Sequence, residues 1–546
     1  MIYARAIQTT LLRTLLVLLS VAYSYAYALA QEETVQDSLS IAMEEELRSR
    51  IDAAQSETQR VRLNEIHDYY SGVEFKAIWV KDDAPSAKAK AVLEALRRAR
   101  DDGLRSEDYD TEALAEKLSA STLSALADLE IHMSTSLVSF AQHLKAGRVD
   151  PLAVTKRNVV YPKKLSPIKI LTDGATTQNI KAYLRLLAPH TPRYERLRTA
   201  LKEYRRMASS GGWPQIAGGQ VLKPGMEDER VPALRGRLKI SGDYQNGVLV
   251  ENPNLYDGAI VEAVKRFQER HGLEIDGVIG PNTLTEINIT VEQRIVTMEH
   301  NLERRRWMQD DYGQYYIFAN LADQVVKVVR NEKTIYAEII QVGLPYHQTP
   351  VFSDEMEYIE INPYWNVPYS IATREMLPKL RRNANAFSSQ NFEVIRGGQV
   401  INASAVPWRS YSRANFPVRL RQKPGPKNAL GRVKFMFPNK HNVYIHDTPS
   451  KQKFNRASRF FSHGCLRLKD PFRLAEVLLG NQGWTKGRID ATVKKGKRRV
   501  VRLEEKIPVH IAYLTSWVNK DGSIHFRRDV YERDTILAKA LKRSRS

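Results

Sequence analysis

The chain has 546 residues and a single cysteine, Cys465. No segment can be closed by an internal disulfide, so each folded unit has to bury an apolar core of its own. A hydrophobic share of 42% is ample for that. The length allows roughly three to four domains at about 150 residues each. The apolar periodicity divides the chain: it is helical as far as about Arg206 and strand-like after Gly313. The expected fold class is multidomain α+β.

The N-terminus sets the compartment. Arg5 and Arg13 precede or open an apolar stretch at Leu15-Leu16-Val17-Leu18-Leu19, and Ala28-Leu29-Ala30 fits a small-x-small cleavage site before Gln31. Residues 1–30 therefore read as a secretory signal peptide. The alternative is an uncleaved anchor, but the strongly apolar part is short against the ~20 residues of a bilayer span. Membrane contact is expected only through this segment. The formal net charge of +21 suits anionic surroundings such as a wall polymer, lipid headgroups or acidic peptides. Export and the lack of a recognisable nucleic-acid module argue against nucleic acid. The run Lys494-Lys495-Gly496-Lys497-Arg498-Arg499 reads as a solvated face or hairpin tip.

Residues 31–60 are polar and read as a mobile leader or a frayed first helix, and 31–215 as a helical scaffold domain. Val92, Ala95, Leu96 and Ala99 repeat at helical spacing before Gly103. Ser209-Ser210-Gly211-Gly212-Trp213-Pro214 and Gly218-Gly219 mark a linker. Residues 216–290 form a compact three-helix unit in which Ile260, Ala263, Val264 and Phe267 share a face. A connecting helix, rich in arginine at Arg304-Arg305-Arg306, fills 291–312. From 313 to 546 the chain is mainly β, with strand-like segments at 315–320, 324–329, 339–343, 356–361 and 433–437. A less regular insertion over about 372–421 reads as a lid.

An exported chain that keeps one unpaired thiol needs a chemical reason to keep it. Cys465 lies in Ser462-His463-Gly464-Cys465-Leu466-Arg467-Leu468, and His446 lies upstream in Tyr444-Ile445-His446-Asp447-Thr448. A free thiol titrates near 8.5, so an imidazole that takes its proton raises the nucleophilic fraction. His446 is assigned as the base. Tyr444, two residues before it, shares its face on a strand and is assigned as a hydroxyl donor to the developing oxyanion. Gly464 permits a tight turn, and the N–H groups of Gly464 and Cys465 are candidate oxyanion donors, each worth about 3 kcal/mol of barrier. Arg467 is assigned to hold a substrate carboxylate or to brace the loop. Two alternatives stand beside this: an inert buried cysteine, and zinc or copper ligation by His446, His463 and Cys465, which supply three ligands at most. No metal or cofactor is expected.

Two stretches resemble known families. Ala263-Val264-Lys265-Arg266-Phe267-Gln268 and Asp276-Gly277-Val278-Ile279-Gly280-Pro281 resemble the peptidoglycan-binding domain of wall enzymes. The Ser462 to Leu468 motif, with a histidine 19 residues before the cysteine, resembles the signature of the YkuD-type L,D-transpeptidase catalytic domain. Ile361-Asn362-Pro363-Tyr364-Trp365-Asn366-Val367-Pro368, the segment Lys423 to Phe435 and His446-Asp447-Thr448-Pro449 are similar to the large YcbB-like subgroup. The resemblance implies Cys465 as acyl acceptor, His446 as base, the Asp447 main-chain carbonyl as the third member, and His463 shaping the site. Ser462, Trp365 and Asn366 join Arg467 as candidate substrate contacts. The Asp447 side chain departs from the glycine or serine common there.

The implied reaction is a two-step exchange on peptidoglycan tetrapeptide stems, one the donor and one the acceptor, in the periplasm. D-Alanine leaves, a thioester forms on Cys465, and an amine on a neighbouring stem completes a 3→3 cross-link. Carbapenems would acylate the same thiol. Other cell-wall synthases are candidate partners. The rivals are an L,D-carboxypeptidase, a lipoprotein-anchoring transpeptidase, exchange with free D-amino acids, and a catalytically silent wall-binding scaffold.

Overall fold

The structure, a computed structural model, describes residues 38–161, 163–244 and 251–544. The proposed signal segment lies outside the described residues. Among those described, no helix is long and apolar enough to cross a membrane. The chain divides into two compact units, one of residues up to Arg148 with 163–190, the other of 149–161 with 191–544.

The first unit is helical. Its long central helix, Leu123–Ala146, is capped by the Thr122 side chain and buries thirteen residues. One of them is charged. The Glu130 carboxylate, fully buried, accepts hydrogen bonds from the main-chain N–H groups of Ile78, Trp79 and Val80 and from the Tyr70 hydroxyl at 2.7–3.1 Å. Ser134, one turn on, takes the Trp79 indole N–H at 2.8 Å. Polar side chains thus terminate a loop whose donors would otherwise be orphaned in the core. Residues 38–52, expected as a leader or frayed helix, form a regular helix that buries Leu39, Met43 and Leu47. Their four-residue spacing puts all three on one face.

The second unit holds the remaining elements. The Pro192–Ser209 helix, assigned from sequence to the scaffold, packs here against the Val291–Trp307 helix and buries Tyr194, Leu197, Leu201 and Tyr204. Arg205 pairs with Glu299 at 2.6 Å and Arg306 donates to the Tyr194 hydroxyl. Three helices, Val231–Ile240, Gly258–Arg270 and Pro281–Ile287, share a separate small core. The Gln268 amide accepts from the Gly277 N–H at 2.8 Å and donates to Asp276 at 2.7 Å. Gly277 has φ +71 and a Cβ there would meet Val261 at 2.9 Å. The conspicuous Gln268 and Asp276-Gly277 motif residues therefore hold the turn together.

Nine strands build the main sheet: β1 (Tyr315–Asn320), β2 (Val325–Arg330), β3 (Lys333–Gly343), β4 (Phe352–Ile361), β5 (Val433–Met436), β6 (Ile445–His446), β7 (Phe460–Ser462), β8 (Leu466–Leu468) and β9 (Arg499–Ala512). Their order is β7-β3-β8-β6-β5-β4-β9-β1-β2, and β2 also pairs with β3, closing a ring of eight. The long β3 makes closure possible: its first half pairs with β2 and its last residues with β7 and β8. Inside lies a hydrophobic core that includes Ile317, Val326, Ile340, Ile359, Phe435, Ile445, Leu466 and Leu468. Between β4 and β5, residues 365–422 form an insertion. It has a four-stranded sheet and a core of its own around Met376, Leu380, Trp408 and Leu420.

Glu130→Ala is expected to destabilise the helical unit by about 2–4 kcal/mol, because it strands the buried N–H groups of Trp79 and Val80 and the half-buried one of Ile78. Urea unfolding followed by circular dichroism reads this as a shifted first transition; an unchanged midpoint would show that water replaces the carboxylate.

Candidate active site

Three short strands bring the sequence-predicted residues together. β6 and β8 run parallel with Ile445 opposite Leu466 and His446 opposite Arg467. Ile445, Leu466 and Leu468 are buried in the core. Side chains alternate across a strand, so Tyr444, His446, Cys465 and Arg467 all fall on the other face. The same register extends sideways: Arg467 faces Gln341 on β3, His446 faces Lys434 on β5, and Lys434 faces Glu360 on β4. Directly opposed residues share a face. A polar row, Gln341, Arg467, His446, Lys434 and Glu360, therefore crosses five strands beside the thiol.

The His446 ring is buried, and its Nδ1 lies 2.5 Å from the Asp447 carbonyl oxygen. A carbonyl only accepts, so Nδ1 carries the proton and Nε2 keeps its lone pair. The Asp447 side chain, which the sequence left without a role, fixes that carbonyl. Its carboxylate accepts from the N–H groups of Arg432 at 2.8 Å and Thr448 at 2.7 Å, and pairs with Lys451 at 2.7 Å. Gly431 sits against it with φ +63, and a Cβ there would come within 2.2 Å of the carboxylate. Only glycine lets the two chains approach so closely.

Gly464 has φ +117, in the left-handed range, which turns the chain between β7 and β8. Ser462 clasps the turn: its hydroxyl accepts from the Gly464 N–H at 3.0 Å and donates to the Cys465 carbonyl at 2.6 Å. Two expectations change. The Gly464 N–H is already spent within the loop, so it is not an open oxyanion donor. Ser462, 1% exposed, is a brace and not a substrate contact. The Cys465 N–H has no acceptor among the described residues. His463 points away from the thiol: its Nε2 is 2.9 Å from Glu375 of the insertion and its ring 4.9 Å from that of His347.

The half-buried Cys465 thiol points at the Asn442 carbonyl at 3.7 Å, not at an imidazole. Desolvation pushes its pKa up. The Tyr444 main-chain N–H, Lys434, Arg467 and the Tyr444 hydroxyl pull the other way, in that order. His446 is pushed down to about 3, first by burial and then by the Arg467 charge; the Asp447 and Leu430 carbonyls oppose this. Burial lowers Lys434 as well, and Glu360 and Cys465 raise it. Lys434 lies 4.0 Å over the Tyr444 ring. The two flanking cations thus favour a thiolate and disfavour an imidazolium.

Trp365 and Asn366 sit at the start of the insertion, paired with Gln422 and Arg421, and Trp365 packs edge-on against Phe392. Neither shares a hydrogen bond or ring contact with the cysteine cluster among the described residues. Lys434, Glu360 and Asn442 were not identified from the sequence. The detectable signal for Lys434 was a lysine inside the otherwise apolar strand segment Val433–Met436. Among the described residues no three His, Cys, Asp or Glu side chains converge as metal ligands.

Three stretches of the chain match known families. Residues 64–201 match a scaffold domain, 227–287 a "Putative peptidoglycan binding domain", and 314–503 the L,D-transpeptidase catalytic domain, YkuD. A Haemophilus influenzae protein named "Putative L,D-transpeptidase" is 30% identical over 253 residues, 46% of this chain and 50% of its own length. The chain therefore spans about half of that relative. An L,D-transpeptidase structure from Xylanimonas cellulosilytica is 14% identical, with 54% of this chain and 98% of that chain covered and a TM-score of 0.18. One from Stackebrandtia nassauensis is 13% identical, with 55% and 96% covered and a TM-score of 0.22. The sheet that carries Cys465 and His446 lies within the stretch that matches the YkuD L,D-transpeptidase catalytic domain, in a multidomain α+β chain that also matches a peptidoglycan-binding domain.

Proposed function

We propose that the chain is a peptidoglycan L,D-transpeptidase acting outside the cytoplasm, with Cys465 as nucleophile and His446 as proton carrier. The observation that carries this reading is the pairing of β6 with β8. It sets the one thiol of the chain beside Tyr444, on the same face as an imidazole whose Nδ1 is held by the Asp447 carbonyl. For proton transfer the thiol has to turn away from the Asn442 carbonyl and toward the His446 ring.

The thiolate sulfur attacks the carbonyl that joins the third residue of a tetrapeptide stem to its terminal D-alanine. The Tyr444 hydroxyl and the Cys465 N–H are the available donors for the oxyanion. Because His446 sits among cations, it surrenders its extra proton readily, here to the departing D-alanine amine. A thioester on Cys465 remains. The side-chain amine of the third residue on a second stem then attacks it, His446 takes the amine proton, and collapse returns that proton to sulfur. The product is a 3→3 cross-link. No outside energy source is consumed, because the thioester conserves the energy of the broken amide.

Purified disaccharide-tetrapeptide is expected to yield cross-linked dimers with release of one D-alanine per link, read by mass spectrometry. Accumulation of tripeptide monomers would make the enzyme a carboxypeptidase. Cys465→Ala should abolish both product formation and the covalent carbapenem adduct; an adduct surviving in that variant would sink the assignment of the nucleophile.

The charges around the site also fix a pH profile. With His446 depressed and Cys465 raised, the resting pair is neutral, so the acylation rate should climb steadily from pH 6 to pH 9. A flat rate across pH 6–8 would instead report a preformed thiolate and imidazolium pair. Lys434→Met should slow acylation about tenfold and move the rise to higher pH, since one pKa unit of lost thiolate stabilisation is about 1.4 kcal/mol. Equal profiles for parent and variant would remove Lys434 from the mechanism.

A further inference from the structure

The arginine run that closes the Val291–Trp307 helix is divided by its partners. Arg304 is bound to Asp534 at 2.5 Å and Arg306 to Glu303 at 2.8 Å. Arg305 has no hydrogen bond or carboxylate partner among the described residues. It is only 8% exposed, and its Nε is buried with no acceptor. A lone buried guanidinium is costly unless something pairs with it.

Arg305 lines a cavity of about 530 Å³, with Arg193 and Arg196 from the Pro192–Ser209 helix beside it. Arg193 lies over the Phe318 ring at 5.5 Å and donates to the Tyr316 hydroxyl; Arg196 donates to the Val518 carbonyl. None of these partners carries a formal negative charge. Two acids reach the wall. Asp323 is already bound to Arg527 at 2.7 Å, and Glu332 is an exposed rim residue whose field reaches Arg196. Burial brings Arg305 down to about 10; Tyr312 resists this, and Arg193 and Arg196 add to it. The three guanidinium groups thus repel one another around a floor in which Phe318 and Val325 alternate with polar Asn320 and Lys327.

That floor is the outer face of the β1–β2 hairpin. Phe318 opposite Lys327 and Asn320 opposite Val325 line the cavity, while the alternate residues Ile317, Ala319, Val326 and Val328 enter the core. Leu514 and Trp517 complete an apolar wall. No lining residue belongs to the cysteine cluster.

We propose that this cavity binds a phosphate group carried on an apolar body. A carboxylate would neutralise one of three clustered cations, whereas a phosphate monoester or pyrophosphate brings two or more charges and a tetrahedral set of acceptors suited to several guanidinium forks. The phosphate comes either from a soluble ester or from a lipid headgroup, and the chemistry at Arg305 is the same.

The test uses the full chain. Pyrophosphate, matched against sodium chloride at equal ionic strength, is expected to raise the thermal midpoint of the parent. Arg305→Met keeps the bulk and removes a strained charge, so the variant should fold with an equal or higher midpoint and lose the pyrophosphate shift. Arg196→Gln, at the rim, should reduce the shift at least twofold and guards against a packing fault in the first variant. Co-sedimentation with phosphatidylcholine vesicles, with and without phosphatidic acid, separates the sources: Arg305-dependent capture by phosphatidic acid without a pyrophosphate shift assigns a lipid headgroup, and a pyrophosphate shift assigns a soluble ester. No response to either probe, or responses that persist undiminished in Arg305→Met, would overturn the proposal. Carbapenem acylation of Cys465 should be equal in all three proteins.

Discussion

The candidate site depends on the parallel pairing of two very short strands. β6 contributes two residues and β8 three, and neither would hold its place as an isolated ribbon. They are held because Ile445, Leu466 and Leu468 are driven into the core of the closed sheet, with β5 and β3 on either side. A slip of one residue would turn the thiol and the imidazole into that core. Apolar burial on one face of the sheet thus sets the chemistry on the other.

Electrostatics then determine what that chemistry does. The cross-strand row puts Arg467 and Lys434 on either side of His446, and Glu360 beyond Lys434 is shared with Arg498 at 2.6 Å. Such a row is expensive to desolvate, and the surrounding loops supply the means of holding it. Asp447 shows how. Its carboxylate collects two main-chain N–H groups and a lysine, which fixes the neighbouring carbonyl that selects the His446 tautomer. The tautomer of the imidazole is therefore set by a buried carboxylate that never touches it.

The insertion over 365–422 and the loop bearing His463 meet at Glu375, so the segment that turns at the cysteine is tied to a small body with its own core. Elsewhere on the outer face of the same sheet, over β1 and β2, the Arg305 cavity gathers positive charge. Arg304 and Arg306, its neighbours in sequence, both found carboxylates, so helix position and not residue type decides which guanidinium is left over.

Much of the layout was legible in the sequence. The helical spacing of Val92 to Ala99, the strands at 315–320 and 433–437 and the Gly464 turn follow from local periodicity and from φ preferences, which act within a few residues. The Cys465 motif and His446 could be singled out because one unpaired thiol is chemically conspicuous. The sequence alone could not decide partners distant in the chain. It offered Ser462 as a substrate contact and Gly464 as an open N–H donor, and the fold joins the two to each other. It placed Trp365 and Asn366 at the substrate, and the fold seats them in the insertion sheet. It gave no sign that Lys434 would face His446, that Asp447 would clamp Gly431, or that the 192–209 helix would pack on 291–307. Those facts depend on strand register and on which helix faces are buried, which are settled by the whole core at once; local side-chain chemistry was fixed by sequence, and its partners by tertiary packing.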